Sequence, residues 1–562
     1  MVPWCVSKRL LARPCWKVIV FQMLRRKVHP FVIQKDAFQM PCHDEQSVER
    51  ALKHCETEPV HIPGVIQPHG ALIAVDQSLQ QIQFTSENAL EYLRVGHDLL
   101  LGRPLSDVFS WKVHHALSNV PLASASRQET HALGDMQIGL KTLWVQAARA
   151  GDLTIFEFEQ PISDDLPKGT SLSELPQIKA ATSPQELFEF SAKFLRSVTG
   201  YDRVMVYAFD GAGHGDVVAE ASESERFLGL KFPAWDIPKQ ARAIMGNTRF
   251  RHIADIDAVD VPVEATQLSL SPLDMTHASL RGVSRVHAEY LRNMGALASF
   301  SVNITAGDRL WGMISFHHFA PRIMPPETRE FCARFGEVFQ MKLGAFNQSE
   351  TIEKLARPGG WASVASMKAD HSSKEDTLTP ALLSELCSMV QADGAALLKA
   401  DGIKRYGFTP DEQSVHSISR SGAWKIGTTA ISQVQRDFPN IAKKLPTDVA
   451  GLLVVKVRDG STLMFFRRSQ THTVRWTGAP SKNVVSSGRR VQLLPRRSFE
   501  PVQQTIKDQC LPWSEAQLRM ADGFPELLAE AEAEESPAQY MHVQDDHAVC
   551  AQASPQSREA EE

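Results

Sequence analysis

Cysteine is scarce and unpaired in this sequence. Its 562 residues include eight cysteines, and no two of them stand in a CxxC spacing. Disulfide-stapled secreted domains and zinc ribbons both need closely spaced cysteine pairs, so the sequence argues against these two classes. The thiols are predicted to be reduced, as they are in the cytoplasm.

Long apolar runs and a strong charge imbalance are also missing. No stretch reaches the roughly 18 to 20 apolar residues that a membrane-spanning helix needs. The formal net charge of -5 gives no argument for a nucleic-acid partner, because such proteins concentrate positive charge on one face. With 43% hydrophobic residues, the chain is long enough for three or four domains, each with its own core. We predict a cytoplasmic protein without a membrane or nucleic-acid partner.

Acidic residues are absent from the first 35 positions, where eight Lys and Arg residues surround a short apolar run, Val18–Phe21. A secretory signal peptide needs a longer apolar core and a small-residue cleavage site, and this segment has neither. Residues 1–45 are therefore predicted to be a disordered extension, with an amphipathic surface-binding segment as the alternative. Residues 526–562 are acidic, lack apolar periodicity, and are predicted to be a disordered tail.

Apolar periodicity indicates mixed α/β domains between these two ends. Runs with strand character, such as Ala71–Val75 and Ala298–Ile304, alternate with polar turns and helical patterns. Residues 326–355 have helical spacing and predict one long connecting helix. Its apolar positions exceed what one flank of a single domain needs to bury, so we predict a homodimer along it. These positions are Phe331, Phe335, Val338 and Phe339.

Four motifs carry the chemical information in the chain. Cys55 stands six residues before the run His61–Gly70, which is rich in Pro, Gly and apolar residues. The segments Phe232–Pro238, Val283–Gly295 and Pro495–Phe499 follow in order. Together they resemble the bacterial phytochromes, red/far-red photoreceptors that carry biliverdin, over about residues 46–525.

This resemblance implies an α/β (α+β) fold of three consecutive antiparallel-sheet sensor domains joined by long helices. A PAS domain with the chromophore-attachment segment would span residues 46–160, a GAF chromophore-binding domain 177–350, and a PHY domain 351–525. In this family a cysteine upstream of the PAS domain adds to a vinyl side chain of biliverdin, and Cys55 has the matching position. The addition requires a thiolate. Cys42 is the alternative attachment residue.

The resemblance also implies the residues of a pigment pocket. Asp236 would face the pyrrole nitrogens and the tongue, an arm of the PHY domain; helix capping is its alternative role. His287 would tune pigment protonation or be purely structural. His317 would reach the ring D carbonyl, while His318 would point to the opposite face of a strand, which argues against a metal site. The aromatic, propionate-side and hydroxyl positions match at Tyr207, Tyr290, Arg251, Arg281, Ser299 and Ser301.

The tongue motif and its neighbourhood match the family only in part. Arg496 would pair with Asp236 in one light state, and Ser498 would replace it in the other. Trp235 stands where the family usually has Ser, and Val502 and Gln504 stand where it has Trp and Glu. The family's Tyr and Pro are here Met245 and Arg285.

The functional expectation is a red/far-red photoreceptor that binds biliverdin covalently. It would signal by photoisomerisation and tongue rearrangement to a separate partner protein. No phosphoacceptor His-Glu helix and no Gly-rich nucleotide lid is visible in the sequence, and fewer than roughly forty residues follow Phe524, too few for an output domain. The chain is therefore not expected to be an enzyme. The alternatives are a truncated sensor histidine kinase and a non-switching bilin-binding scaffold.

Overall fold

The computed structural model describes residues 58–528, apart from short gaps. The gaps are residues 77–80, 121–129, 163–177, 179, 224–225, 268–269, 308, 357–374, 401, 422–423, 425, 458–459, 481–482, 488–489 and 527. The first domain contains β1 (Val65–Ile66), β2 (Gly70–Asp76), β3 (Ile82–Ser86), α1 (Ala89–Leu93), α2 (His97–Leu100), α3 (Leu105–Val108), α4 (Trp111–Ser118), β4 (Thr130–Ile138), β5 (Lys141–Ala150) and β6 (Leu153–Glu159).

The second and third domains follow. The second contains α5 (Pro184–Thr199), β7 (Arg203–Phe209), β8 (Gly215–Ser222), β9 (Lys231–Phe232), α6 (Lys239–Asn247), β10 (Phe250–Ile253), β11 (Val261–Ala265), α7 (Arg285–Met294), β12 (Ala298–Ala306), β13 (Arg309–His318) and α8 (Pro326–Ala356). The third contains α9 (Glu375–Val390), β14 (Gly394–Lys399), β15 (Gly402–Gly407), α10 (Glu412–Ser419), β16 (Gly427–Ile431), α11 (Val434–Asp437), α12 (Pro439–Ala442), β17 (Val449–Lys456), β18 (Thr462–Arg468), β19 (Gln470–Thr477), β20 (Asn483–Ser487), β21 (Arg490–Leu494), β22 (Pro501–Gln509) and α13 (Glu515–Asp522).

The first domain is a seven-stranded antiparallel sheet with the order β1-β11-β3-β2-β6-β5-β4. Strand β2 contains an unbroken apolar run, Ala71–Val75, because side chains on both of its faces are buried. Ala71 and Ile73 pack into the core beneath α1–α4, while Leu72 and Ala74 face a second core with Leu280. Successive side chains of a strand point to opposite faces, so both faces of the sheet are buried at β2. Strand β11 of the second domain forms part of this sheet, between β1 and β3, and so joins the two domains.

The second domain is built on an eight-stranded sheet with the order β10-β12-β13-β7-β8-β9-β19-β22. One face packs against α5 and α8 in a core that includes Phe300 and Phe316. Local sequence sets the limits of α5: the Ser183 hydroxyl caps the N–H of Glu186 at 3.3 Å, Pro184 occupies the first turn, and Gly200 ends the helix at φ 64°. The opposite face of the sheet is left for a cavity.

Helix α8 confirms the long helix predicted over residues 326–355, but its apolar face has a different partner. Phe335 and Phe339 are fully buried in the core of the second domain, and Phe331 and Val338 pack against the same core. Phe335 and Phe339 are therefore not available to a dimer interface, whereas Phe331 and Val338 are only partly buried, so a dimer along α8 stays a prediction. Helical spacing identifies a buried face, and here the chain's own sheet and α5 bury it.

The third domain combines a five-stranded sheet, β15-β14-β18-β17-β16, with an extended arm. Apolar side chains of α9 and α13 pack on one face of the sheet and those of α10–α12 on the other. The arm, residues 470–509, contains the motif Pro495–Phe499 that predicts a tongue, and it is called the tongue below. Its strands β19 and β22 form an antiparallel ribbon, and β19 joins β9 of the second domain in parallel through Trp476 and Lys231. Among the described residues, no helix is both long and apolar enough to cross a bilayer.

A buried polar cluster fastens the first domain to the second. Glu159, at the end of β6, receives two hydrogen bonds of 2.8 Å from Arg329 in the first turn of α8. His69 lies 3.6 Å from the same carboxylate, and its ring meets the ring of His252 edge-on at 5.3 Å. Desolvation lowers the pKa of His69 to about 4, although Glu159 opposes the change. His69 is therefore neutral in the folded protein at neutral pH.

This histidine should make the protein sensitive to acid. The pKa of His69 is about 6.5 in the unfolded chain and about 4 in the folded protein. Between these two values the folded state binds fewer protons than the unfolded state. Lowering the pH through this window therefore reduces the stability by up to about 3 kcal/mol. We expect His69→Gln to show a smaller loss of stability over this range in urea unfolding. The exposed His115→Gln is the control, and an equal change of slope in both variants would contradict the assignment.

Candidate ligand-binding cavity

A cavity of about 500 Å³ lies on the free face of the second domain's sheet. Its floor comes from β7, β10, β12 and β13, and its walls come from α6, α7 and the segment between β9 and α6. Tongue residues Pro495, Arg496 and Ser498 close one side. A concave, mostly apolar site with a few convergent polar groups is the usual form of a small-molecule or cofactor site.

The floor follows from strand alternation. Met313, Ser315 and His317 occupy alternate positions of β13 and all line the cavity. Antiparallel pairing places Ser299 opposite His317 and Ser301 opposite Ser315. On the outer strand Arg251 pairs with Ser301, and on the other side Tyr207 pairs with Met313. The register thus gathers residues far apart in sequence into one polar and aromatic surface.

Two arginines form a cationic end of the cavity. Arg251 donates to the carbonyl oxygens of Ser279 at 3.2 Å, Gly282 at 3.0 Å and Arg281 at 2.5 Å. The guanidinium of Arg281 donates to the carbonyl of Thr276 at 3.0 Å. Burial lowers the pKa of both arginines. Within the described part of the chain, neither guanidinium group has a carboxylate oxygen within ion-pair distance. Buried cations held only by carbonyl groups favour an anionic ligand.

The other end of the cavity holds histidine and tyrosine side chains. His287 and Tyr290, one turn apart on α7, have nearly parallel rings with centroids 6.2 Å apart. Desolvation lowers the pKa of His287 to about 4 and that of His317 to about 3, with smaller contributions from nearby arginines. His317 Nε2 lies 3.2 Å from the Ser315 hydroxyl, whereas its buried Nδ1 has no hydrogen-bond partner among the described residues. This orphaned nitrogen can serve a polar ligand atom.

Asp236 and Arg496 connect the cavity to the tongue. Arg496 Nε lies 3.3 Å from Asp236 Oδ2, and the two side chains are 7% and 3% exposed. Arg496 also donates to the carbonyls of Thr477 and Ala479. Burial raises the pKa of Asp236 to about 6, and Arg496 opposes the rise. The Tyr290 hydroxyl donates to Asp236 at 3.3 Å, so the pair belongs to one network with the cavity wall.

The structure places every predicted site residue on this cavity except Cys55, which lies outside the described residues. Glu58 and Val60, which follow it closely, line the cavity. Asp236 does not cap α6, because Pro238 is the N-cap residue and no side chain caps that end. His318 points away from His317 and lies 2.7 Å from Asp202, as strand alternation predicts. No cluster of metal-ligating side chains occurs in the described ranges.

Sequence reasoning missed several lining residues. Ser315 and Met313 could have been found from His317 by counting back along β13 in steps of two. Glu58, which no motif indicated, also lines the cavity, as does Trp235, which the sequence marks as a departure from the family. Phe499, within the tongue motif, packs on the rings of Phe227, Phe232 and Tyr290, and no periodicity in the sequence indicates those partners.

Comparison with known proteins assigns the class of this fold. Family models match in chain order: a PAS fold over residues 55–161, a GAF domain over 183–340 and a phytochrome region over 362–536. The domains and the shared cavity define a three-domain sensory module of the PAS, GAF and PHY type. Our own boundaries, 46–160, 177–350 and 351–525, stay a prediction.

Relatives specify the family further. The chain is 30% identical to a bacteriophytochrome of Xanthomonas campestris over 84% of this chain and 78% of that protein. It is 29% identical to cyanobacterial phytochrome B of Nostoc over 84% of this chain and 65% of that protein. The photosensory core module of Stigmatella aurantiaca phytochrome superposes with a TM-score of 0.71 at 29% identity, covering 86% of this chain and 98% of that one. The chain belongs to the phytochrome family of photoreceptors.

Proposed function

We propose that this chain is a red/far-red photoreceptor that holds biliverdin covalently through Cys55. The observation that supports it best is the cavity itself, with two buried arginines at one end and an orphaned His317 nitrogen at the other. A linear tetrapyrrole with two carboxylates and polar ring ends complements that arrangement. When bound, biliverdin would supply red-light absorption and photoisomerisation about the methine bridge between rings C and D.

The chain's own residues would hold and tune this pigment. Arg251 and Arg281 would bind its carboxylates, and the hydroxyls of Ser299 and Ser301 lie on the same floor. His317 would donate to a terminal carbonyl, and the rings of Tyr207 and Tyr290 would limit the space around that end. His287 would contact the pyrrole side together with Asp236. Arg496 holds Asp236 in the tongue-docked arrangement, and Ser498 would take its place after light absorption.

Absorbance spectroscopy tests the proposal. The full chain is mixed with biliverdin, and spectra are taken before and after red light and again after far-red light. We expect a red absorption band that decreases in red light and returns afterwards. A bound pigment whose spectrum light does not change would favour the non-switching scaffold. Failure to bind biliverdin at all would refute the proposal.

The tongue's own sequence affects how long the photoproduct lasts. Val502 pairs with Trp476 and Gln504 pairs with Val474 in the ribbon, so both positions are satisfied as a strand. The family's Trp at the first position would add about 1 kcal/mol or more of aromatic burial after refolding to a helix, and Pro501 restricts where that helix begins. We expect an incomplete or quickly reverting photoproduct, and a longer lifetime in the double variant Val502→Trp, Gln504→Glu.

The decay of the photoproduct in darkness, followed by absorbance, measures this effect. The control is the double variant Gln503→Trp, Thr505→Glu, which introduces the same residue types at the neighbouring exposed positions. Two results together would contradict this account. The unmodified chain would form a complete photoproduct that lasts for hours, and the double variant Val502→Trp, Gln504→Glu would not change that lifetime.

The remaining parts of the proposal concern partners. We propose a cytoplasmic homodimer that signals to a separate downstream protein, with an interface along α8 to which the fully buried Phe335 and Phe339 do not contribute. Light scattering on the biliverdin-loaded chain tests the oligomeric state. A truncated sensor histidine kinase stays the alternative for signalling, and the matched domains are sensory ones.

A further inference from the structure

One buried carboxylate of the PAS domain reaches the loop beneath the cavity arginines. Glu157 lies on β6 and is 1% exposed. Its Oε1 accepts a hydrogen bond from the main-chain N–H of Leu280 at 2.7 Å, and its Oε2 accepts one from that of Ser279 at 3.0 Å. The side-chain amide of Gln146 donates to Oε2 at 2.5 Å. A side chain of the first domain thus holds the main chain of the second.

The same loop, residues 279–282, holds Arg251. The carbonyl oxygens of Ser279, Arg281 and Gly282 all accept from its guanidinium. Glu157 therefore binds the loop through its N–H groups, while Arg251 binds it through its C=O groups. Packing leaves the loop little room to move, because a Cβ on Gly70 would lie 2.6 Å from Leu280 Cδ1 and 2.9 Å from the Phe158 carbonyl. A displacement of Glu157 must consequently be passed to Arg251.

The charges support the same connection. Burial lowers the pKa of Arg251 and Arg281, and the negative charge of Glu157 opposes that change at both. Burial raises the pKa of Glu157, but all three groups that hydrogen-bond to it are N–H donors, which oppose the rise and favour the carboxylate form. Glu157 is thus a shared counter-charge as well as an anchor for the loop.

We propose that Glu157 is a positioning residue for carboxylate recognition in the cavity. By fixing residues 279–282, it sets where Arg251 and Arg281 present their guanidinium groups to an anionic ligand. The inference rests on the proposed bilin function, and it gives Glu157 a part in binding a ligand that its side chain does not touch.

The test compares two ligands on each protein: biliverdin, and its dimethyl ester, which lacks the two carboxylates. Binding is measured by absorbance titration in the full chain carrying Cys55→Ser, so that it is reversible. Glu157→Gln keeps the size of the side chain but turns an NH₂ group toward a main-chain N–H, which removes at least one anchor of the loop. We expect the preference for the free acid over the ester to fall by about tenfold, because bidentate carboxylate recognition depends on geometry.

Two results would overturn the proposal. An equal loss of affinity for both ligands would mean that Glu157 is only structural, and a greater preference for the free acid would mean that it is only a counter-charge. Glu159→Gln is the matched control: this carboxylate lies two residues along β6, is 2% exposed, and pairs with Arg329 rather than with the loop. It should leave the preference unchanged.

A second variant keeps the test open if Glu157→Gln fails to fold. Gln146→Leu removes one hydrogen bond to Glu157 and leaves the carboxylate in place, and it should lower the preference in the same direction by a smaller factor. An unchanged preference in that variant would count against the proposal. Absence of biliverdin binding in the chain with Glu157 intact would refute the proposed function instead, so the two failures are distinguishable.

Discussion

Replacing Cys55 by serine is expected to abolish covalent pigment completely. A thioether needs a thiolate close to the ligand, and serine is far too weakly acidic to replace it. Glu58 and Val60 line the cavity, and three residues of chain span at most about 11 Å, so Cys55 is tethered near the site. The cysteines that the structure describes, Cys332, Cys387 and Cys510, are buried, and none of them lines the cavity.

Zinc-enhanced fluorescence of the denatured protein on a gel measures the covalent adduct. Cys42→Ser is the matched control, because Cys42 is the alternative attachment residue and also lies outside the described residues. We expect full fluorescence in Cys42→Ser and none in Cys55→Ser. The opposite pattern would transfer the attachment to Cys42 and leave the cavity assignment as it stands.

Removing Arg496 is expected to weaken tongue docking by about 3 to 5 kcal/mol, a factor of a hundred or more, because it leaves Asp236 as an unpaired buried charge. Protonation relieves part of this cost. Asp236 is neutral below its pKa and charged above it, and Arg496 now holds that pKa down. The effect of Arg496→Met should therefore be larger at pH 8 than at pH 6, where a group without its cation is mostly neutral.

Hydrogen exchange of the β19–β22 ribbon in darkness measures docking. Arg497→Met is the control, since Arg497 is the neighbouring residue and is exposed. The double variant Asp236→Asn, Arg496→Met should recover part of the loss, because it removes both charges of the pair. Equal exchange in the Arg496 and Arg497 variants, or no recovery in the double variant, would show that the pair does not hold the tongue.

Local patterns predicted the parts of the fold that depend on neighbouring residues. Apolar spacing over residues 326–355 predicted α8, which the structure places at Pro326–Ala356, because a helix repeats within a few residues. The same spacing could not say what the buried face contacts. Phe335 and Phe339 pack on Phe194 and Phe188 of α5, more than a hundred residues earlier in the chain. The helical repeat of apolar residues carries no information about contacts between residues so far apart in sequence.

The candidate site was predictable where motifs carry it, and only there. Asp236, His287 and Arg496 lie in motifs, and the structure brings them to one cavity. Glu157 lies in an ordinary apolar strand, and its partners Ser279 and Leu280 are 122 and 123 residues away. Contacts of this kind arise from the packing of one domain on another, which hydrophobic periodicity does not describe.

The strand pairing between the tongue and the second domain is narrow, and this has a mechanical consequence. Parallel pairing of β19 with β9 involves a single residue pair, Trp476 with Lys231, whereas the ribbon of β19 with β22 pairs residues 470–477 with residues 501–509. Force applied to the third domain would load this strand pair together with the Asp236–Arg496 pair and the packing of Phe499, while both flanking units keep their internal bonds. The arm would peel away as an intact hairpin, so undocking and refolding would be two separate events with two separate barriers.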